Sequence, residues 1–234
     1  MKVVFVFAHP DDESFSSAGT IALLTKNGHT VKLITATRGE QGQVGDPPIT
    51  TQENLGKVRE EELRTVTKVL GISEVYFLDF VDGALKETPL KLISGKVLEL
   101  LREEKPDVVV TFNEEGASLH PDHIRMHEAA TDAFKEYVKG SKKHLRLYYN
   151  ASPRSFIQRL KKMGIMYSVY GEVMGIPDDL ISTKIDISQT VDKKIKALMS
   201  HKTQHKDWEK YLKRKDHKEF KYEFFRLVME NTIV

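Results

Sequence analysis

The first half of the chain alternates short, β-branched apolar runs with longer amphipathic stretches. This alternation predicts parallel strands joined by crossover helices that cover both faces of a sheet. The predicted strands span residues 2–7, 30–37, 74–78 and 108–112. The predicted helices span residues 14–26, 53–70 and 90–104, and each ends close to a Gly or Pro stop signal. We therefore expect an α/β fold with a Rossmann-like wound, mostly parallel sheet.

The pattern becomes less regular after about residue 140. Strands are predicted over 146–150 and 183–187, and helices over 155–163 and 191–201. From residue 202 onward lysines alternate with acids, which is typical of a solvated helical face. Phe224, Leu227 and Val228 predict a last strand or helical turn. The length of 234 residues fits one domain, so we expect a Rossmann-like core over about 1–150 and a C-terminal subregion over about 151–234.

The loops that follow the strands are the expected place for chemistry. In a wound sheet, ligands bind beyond the carboxyl ends of the strands, so the residues just after Phe7, Thr37, Leu78 and Phe112 should face one another. The segment 38–51 is rich in Gly and Pro and follows the second strand. Its length and composition predict a functional loop that could move over a substrate.

Composition excludes several classes of protein. The chain is 40% hydrophobic and 30% charged, which is typical of a soluble globular protein. A formal net charge of +2 gives little field to attract phosphate backbones, so nucleic acid is not expected as a partner. The absence of cysteine excludes disulfides, thiolate metal sites and a cysteine nucleophile. No apolar stretch approaches the ~20 residues that span a bilayer, so we expect no membrane anchor and a cytoplasmic location.

The turn after the first predicted strand reads Ala8-His9-Pro10-Asp11-Asp12-Glu13. A dinucleotide-binding protein would place glycines here, whereas three carboxylates and an imidazole repel phosphate and attract a cation. If the chain begins to wind at Pro10, His9 and Asp12 point to one side and Asp11 projects elsewhere. An acidic first helical turn that complements the helix dipole would have the same composition without any metal.

A second cluster follows the fourth predicted strand, where His120 and His123 repeat this spacing around Pro121. Three ligands from His and Asp, with one position left open, describe a catalytic zinc site. Magnesium would require more oxygen ligands, and thiophilic metals would require sulfur. Asp122 either orients an imidazole or caps the helix that starts near His123.

These two clusters resemble the motifs of the LmbE-like, or PIG-L-type, N-acetylglucosaminyl de-N-acetylase family. The similarity extends through residues 37–42, 59–63 and 78–83, covers roughly the first 140 residues, and resumes faintly at 200–204. The resemblance implies a Rossmann-like fold and one zinc ion per chain, and relatives suggest a homo-oligomer. The implied zinc ligands are His9, Asp12 and His123. The other implied roles are general base for Asp11, a place near the oxyanion for His120, and sugar contacts for Arg59 and Asp82.

The chemistry of these groups predicts a mechanism. Zinc lowers the pKa of bound water toward ~7 and polarises an amide carbonyl, and Asp11 is the free carboxylate best placed to take the water proton. A protonated His120 could stabilise the oxyanion, and either group could return a proton to the leaving amine. Asp122 could support the histidines. The expected function is zinc-dependent removal of the N-acetyl group from a small N-acetylglucosamine-type amino sugar or its glycoside.

Three other classes of function remain open. A nucleotide-binding or nucleotide-sugar transferase module could use the same sheet, but no Gly-x-Gly-x-x-Gly follows the first strand. A metal-dependent phosphoesterase needs the same acids and histidines but usually a second metal. A purely structural oligomer would leave the clustered carboxylates without a purpose.

Arg59 and the remaining histidines have simpler interpretations. Arg59 stands beside three glutamates, so without the resemblance a surface ion pair is expected. Six histidines lack ligand spacing and are expected to be structural or exposed: His29, His127, His144, His201, His205 and His217. His201 is the exception to test, because it lies at a predicted helix end where the family often has a histidine.

Overall fold

The structure is a computed structural model that describes residues 1–164, 168–213, 215–216 and 218–231. Within these residues one sheet contains β1 (Lys2–Phe7), β2 (Thr30–Thr35), β3 (Glu74–Phe77), β4 (Val108–Thr111), β5 (Arg146–Ala151), β6 (Thr183–Asp186) and β7 (Tyr222–Glu230). The strand order is β3-β2-β1-β4-β5-β7-β6. Strands β1 to β5 are parallel, and β7 is antiparallel to β5 and β6. The predicted wound, mostly parallel α/β sheet is confirmed.

The helices cover both faces of this sheet. They are α1 (Asp12–Ser16), α2 (Ala18–Lys26), α3 (Leu55–Leu70), α4 (Leu90–Glu104), α5 (Pro121–Tyr137), α6 (Arg154–Lys162), α7 (Val191–Ser200) and α8 (His205–Leu212). Helices α2, α3 and α7 pack together, and α4 packs on α5. Right-handed crossovers place the first group and the second group on opposite faces. No helix among the described residues is long and apolar enough to cross a membrane.

The central strand shows why the sequence forms this core. Every residue of β1 from Val3 to Phe7 is buried, as expected for a parallel strand that is covered on both faces. Helix α3 buries Leu63, Val66 and Leu70 at helical spacing and ends at Gly71, which has a positive φ of 81°. These local patterns place the carboxyl ends of β1 and β4 side by side.

The predicted helix over 14–26 is wrong in one respect, because the structure breaks it into α1 and α2 at Ser17. The carboxylate of Glu223 on β7 accepts the backbone N–H groups of Gly19 at 3.0 Å and Thr20 at 2.7 Å. These are first-turn donors that a continuous helix would have satisfied internally. A side chain 203 residues away in the sequence therefore satisfies the first N–H groups of α2, so that α2 begins as a separate helix.

Other predicted boundaries differ by small amounts. Strand β2 ends at Thr35 rather than at residue 37, and α3 begins at Leu55 rather than at residue 53. Differences of two residues are usual at the ends of elements, where the regular hydrogen bonding fades out. The last apolar residues form the strand β7 rather than a helical turn. The expectation of a solvated face from residue 202 is wrong at its start, because Thr203 and Gln204 are buried.

Candidate active site

The two clusters predicted from the sequence meet at the carboxyl edge of the sheet. His9 follows β1, and His120 to His123 stand at the start of α5, which follows the neighbouring strand β4. Both clusters line one cavity of about 910 Å³. A second cavity of about 610 Å³ lies between α3 and α7 and contains none of these groups. The candidate site is therefore the first cavity.

Potential ligand atoms of three residues converge on its floor. The Nδ1 atom of His9 lies 3.1 Å from Nε2 of His123, and this Nε2 lies 3.2 Å from Oδ1 of Asp12. The Nδ1 atom of His9 lies 3.7 Å from Oδ2 of Asp12. Asp12 is fixed in place because its Oδ2 also accepts the backbone N–H of His9 at 2.8 Å. The arrangement follows from the start of α1 at Asp12.

This spacing fits a zinc ion. Tetrahedral zinc with bonds of about 2.0–2.1 Å requires ligand atoms about 3.3–3.4 Å apart, close to the distances found here. His120 lies near enough to His9 and His123 for these three residues also to share an ion. The donors are imidazoles and a carboxylate, which suit zinc better than magnesium. The residues present therefore fit the metal that the sequence implied.

The opposite side of the His9 ring is held by two carboxylates. Its Nε2 lies 2.9 Å from Asp82 and 3.4 Å from Asp122. Burial opposes the positive charge, but these carboxylates outweigh it and raise the pKa of His9 to about 10. A carboxylate on the second nitrogen is the usual support of a metal-binding imidazole. A zinc ion at Nδ1 would take the place of the proton that the imidazolium carries there. One carboxylate oxygen of Asp82, a residue expected to contact the sugar, thus faces His9.

Asp122 is wholly buried and does not cap α5. Its carboxylate accepts the backbone N–H groups of Gly83 at 2.7 Å and Leu85 at 3.1 Å. The capping side chain is His120, whose Nδ1 accepts the backbone N–H of Asp122 at 3.1 Å. Of its two expected roles, the geometry favours orientation of His9, together with anchoring of the loop after β3 to the start of α5.

His120 is held in its neutral form. Burial and the neighbouring imidazole of His123 lower the pKa of His120 to about 4. Because Nδ1 accepts a hydrogen bond from Asp122, the single ring proton of neutral His120 resides on Nε2. The lowered pKa favours the neutral imidazole over the protonated one expected from the sequence. A neutral imidazole with Nε2–H remains a hydrogen-bond donor.

A hydrogen bond and a ring contact help to fix His123. Its Nδ1 donates to the carbonyl of Gly116 at 2.9 Å, and its ring stacks on Phe112 with centroids 4.3 Å apart. The donation from Nδ1 leaves the lone pair on Nε2, which is the atom that faces Asp12. Burial and the neighbouring His9 lower the pKa of His123 to about 3, which favours the neutral imidazole that a metal ligand requires.

The Asp11 carboxylate lines the same cavity and contacts Arg59. Its carboxylate Oδ2 accepts a hydrogen bond from Nη2 of Arg59 at 3.0 Å. Burial raises the pKa of Asp11 to about 7, against the opposing effect of the Arg59 guanidinium. A carboxyl group with such a pKa is suited to accept and return protons near neutral pH.

Arg59 is buried, with only 4% of its surface exposed, so the surface ion pair expected without the resemblance is wrong. Its guanidinium donates to the carbonyls of Gly39 at 2.8 Å and Pro10, which ties the loop after β2 to the turn after β1. A Cβ atom at Gly39 would lie 2.3 Å from the guanidinium. Gly39, with φ of 66°, therefore leaves room for the buried arginine.

Two cavity residues carry no signal in the sequence. Tyr170 is half exposed, and its ring meets that of His120 edge-on with centroids 4.8 Å apart. Asn150, at the end of β5, is buried and has a side-chain nitrogen without a partner among the described residues. Neither belongs to a motif, since the approach of these elements to the site depends on the packing of the C-terminal half.

The other described histidines were expected to be structural or exposed, with His201 as the one to test. His144 is exposed and pairs with Glu230, and His127 lies 2.9 Å from the carbonyl of Phe112. His201 is completely buried. His217 lies outside the residues that the structure describes.

Comparison with known protein families matches residues 4–134, more than half of the chain, to PIG-L, described as GlcNAc-PI de-N-acetylase. The chain belongs to the PIG-L family. It is thus an N-deacetylase, an enzyme that hydrolyses an amide carbon–nitrogen bond. The matched residues include both candidate metal-binding clusters, Arg59 and Asp82.

Two bacterial relatives of this PIG-L protein are named 1D-myo-inositol 2-acetamido-2-deoxy-alpha-D-glucopyranoside deacetylase. The protein from Actinosynnema mirum is 31% identical over a match that covers 89% of this chain and 82% of its own length. The protein from Acidothermus cellulolyticus is 32% identical, and the match covers 87% and 79% of the two chains.

Two solved structures have the same fold as this PIG-L protein. The N,N'-diacetylchitobiose deacetylase from Pyrococcus horikoshii matches with a TM-score of 0.69 and 23% identity, over 97% of this chain and 83% of its own. GalB, the 4-carboxy-2-hydroxymuconate hydratase from Pseudomonas putida, matches with a TM-score of 0.70 and 19% identity, over 99% and 97% of the chains. The fold thus serves different reactions, and the substrate must be argued from the site.

Proposed function

We propose that this protein is a zinc-dependent deacetylase that removes the acetyl group from the nitrogen of an N-acetylglucosamine-type amino sugar or its glycoside. The proposal rests chiefly on the convergence of His9, Asp12 and His123 at zinc-ligand distances beside Asp11, a carboxylate that faces Arg59 instead. The two relatives that act on an acetamido glucoside support the sugar class.

The proposed ligands of the zinc ion are His9, Asp12 and His123. When bound, zinc supplies a Lewis acid that polarises the amide carbonyl and lowers the pKa of water to ~7. Asp11 takes the proton from the water that attacks the carbonyl carbon. Arg59 holds the Asp11 carboxylate through the hydrogen bond to its Oδ2, so the other oxygen remains available for the water.

His120 acts on the charge that develops on the carbonyl oxygen. Its Nε2–H donates to this oxyanion as a neutral imidazole, since Nδ1 is occupied by the backbone N–H of Asp122. A neutral electrophile of this kind remains a donor throughout the reaction. When the carbon–nitrogen bond breaks, the proton held by Asp11 is transferred to the leaving amine.

Arg59 and Asp82 are proposed to shape the part of the cavity that receives the sugar, which both residues line. Asp82 has one carboxylate oxygen toward His9, and the other accepts the backbone N–H of Gln41 at 2.9 Å. Arg59 holds the carbonyl of Gly39. Both side chains thereby link the sugar site to the loop after β2, so their loss should affect sugar binding as well as turnover.

The test is release of acetate from a panel of N-acetylglucosamine glycosides, with N-acetylated amino acids as the control substrates. We expect turnover of at least one glycoside, about one zinc per chain, loss of activity with a strong chelator, and recovery on addition of zinc. Activity that survives complete removal of metal would contradict the proposed zinc chemistry. Hydrolysis of phosphate monoesters with two metals per chain would favour a phosphoesterase instead.

A further inference from the structure

The turn that carries Asp11 has an unfavourable backbone conformation. Asp11 has φ of 113° and ψ of −25°, a positive-φ geometry that is unfavourable for a residue with a side chain. Such a conformation persists only when neighbouring contacts hold it in place. The contacts around Asp11 therefore determine where its carboxylate points.

Glu13 supplies one of these contacts from within the same turn. Its Oε2 accepts the backbone N–H of Asp11 at 3.1 Å, directly at the strained residue. Glu13 is completely buried, which is costly for a carboxylate unless other groups satisfy it. Ser14 donates its hydroxyl to the other oxygen, Oε1.

His201 completes this arrangement from the C-terminal part of the chain. Its Nε2 lies 3.0 Å from Oε1 of Glu13, and both side chains are buried. Hydrogen bonding and the positive charge of His201 outweigh burial and lower the pKa of Glu13. The backbone carbonyl of His201 accepts the indole N–H of Trp208 at 3.1 Å, which fixes the bend between α7 and α8.

We propose that His201 is a positioning residue for Asp11, acting through Glu13. One oxygen of Glu13 holds the backbone of Asp11 while the other is held by His201, so the three residues form a continuous chain of hydrogen bonds. His201 does not line the cavity. It stands at the far end of the hydrogen-bonded series, with Glu13 between it and Asp11, so it does not contact substrate. This inference rests on the proposed function only for its kinetic readout.

His201 thereby connects the C-terminal subregion to the turn that carries Asp11. The family match ends at residue 134, yet His201 reaches the first catalytic turn because α7 packs against α1. Removal of His201 would leave Glu13 buried without its charged partner. The turn would then relax toward a common backbone conformation and carry the Asp11 carboxylate away from its place.

The matched control lies two residues further along the chain. Thr203 is also completely buried, and it donates its backbone N–H and hydroxyl to Glu62 at 2.8 and 2.7 Å. Thr203→Val removes the buried hydroxyl bond from the same segment but leaves Glu13 and Asp11 untouched. It therefore reports what general loosening of this segment does to activity.

The experiment compares zinc-loaded wild type, His201→Leu, His201→Gln and Thr203→Val. For His201→Leu we expect kcat to fall by about 10- to 100-fold with KM within about threefold and about one zinc per chain retained. His201→Gln keeps an N–H donor in reach of Glu13 and should recover part of the lost kcat. Thr203→Val should keep kcat within about twofold of wild type.

Crystal structures of the same variants give a readout that does not depend on the substrate. We expect Asp11 to leave its positive-φ conformation in His201→Leu and to keep it in Thr203→Val. The proposal is overturned if Asp11 keeps its conformation in His201→Leu, if both variants lose kcat equally, or if zinc content falls in parallel with activity. If the wild type releases no acetate from any glycoside, the proposed function fails, and the crystal structures still decide whether His201 holds Asp11.

Discussion

At the scale of single residues, the neighbouring aspartates face different partners. Asp12 lies beside His123 and accepts the backbone N–H of His9, whereas Asp11 faces Arg59. Asp12→Asn should lower both zinc content and activity, because a neutral amide is a poor zinc ligand. Asp11→Asn should keep the zinc and lower turnover by about 10²- to 10⁴-fold.

Elemental analysis and single-substrate kinetics on both variants provide the check. An Asp11→Asn protein that lacks zinc, together with an Asp12→Asn protein that retains it, would exchange the two assignments. Circular dichroism of each variant serves as the control for folding.

His120 is the group proposed to donate to the oxyanion through its Nε2–H. His120→Ala should retain the metal but lower turnover by about 10²-fold or more, the scale expected for loss of an oxyanion donor. The exposed His144 offers a control, and His144→Ala should leave turnover unchanged. Turnover of His120→Ala equal to that of the wild type would remove His120 from the mechanism.

At the scale of elements, the approach of α2 to the loop after β6 depends on a glycine. A Cβ atom at Gly19 would lie 2.4 Å from Cδ1 of Ile187, whereas one at Gly95 on α4 would meet nothing within 4 Å. Gly19→Ala should therefore destabilise the protein by about 1–2 kcal/mol through overpacking. Gly95→Ala should stabilise it by about 0.5–1 kcal/mol, because alanine favours the helix.

Urea unfolding of the two alanine variants tests both signs in one experiment. A shift of the midpoint to lower urea for Gly19→Ala and to higher urea for Gly95→Ala is expected. If Gly19→Ala instead moved the midpoint to higher urea, as Gly95→Ala should, Ile187 would be able to move aside without cost. The close approach of α2 would then impose no constraint.

At the scale of the whole molecule, Glu104 joins three strands at the edge of the sheet opposite the active site. It accepts hydrogen bonds from Lys2 on β1 at 3.2 Å, Lys32 on β2 at 2.8 Å and Tyr76 on β3. Although burial opposes its negative charge, these donors, led by Lys32, lower the pKa of Glu104 from 4.5 to about 2.

This lowered pKa makes the stability depend on pH. The folded state favours the carboxylate, so the contribution of Glu104 is fully present above pH 4.5 and is lost as pH falls toward 2. Glu104→Gln should cost about 1–2 kcal/mol at pH 7, and its difference from wild type should shrink between pH 4.5 and pH 2. Urea unfolding across this range measures the difference. The exposed Glu103→Gln is the control, with an expected change below about 0.5 kcal/mol at every pH.

The sequence by itself determined most of the elements and the two His–Asp clusters that could hold a metal. The alternation of apolar runs and amphipathic stretches predicted β1 to β5 and most of the helices between them, because these patterns depend on neighbours within four residues. The His9 and His123 clusters could be located because each follows a strand, and the ends of adjacent parallel strands meet. These inferences require only local periodicity and the general topology of a wound sheet.

Only the tertiary structure decided the partners that arrive from far along the chain. Glu223 breaks the helix after Ser16, Asp82 supports His9, and His201 reaches Glu13 across 188 positions. Arg59 lies among glutamates in the sequence, yet packing turns it inward to Asp11. Such contacts leave no periodic trace, because they depend on how whole elements pack. The sequence could therefore locate the candidate catalytic groups, while packing decided what holds them in position.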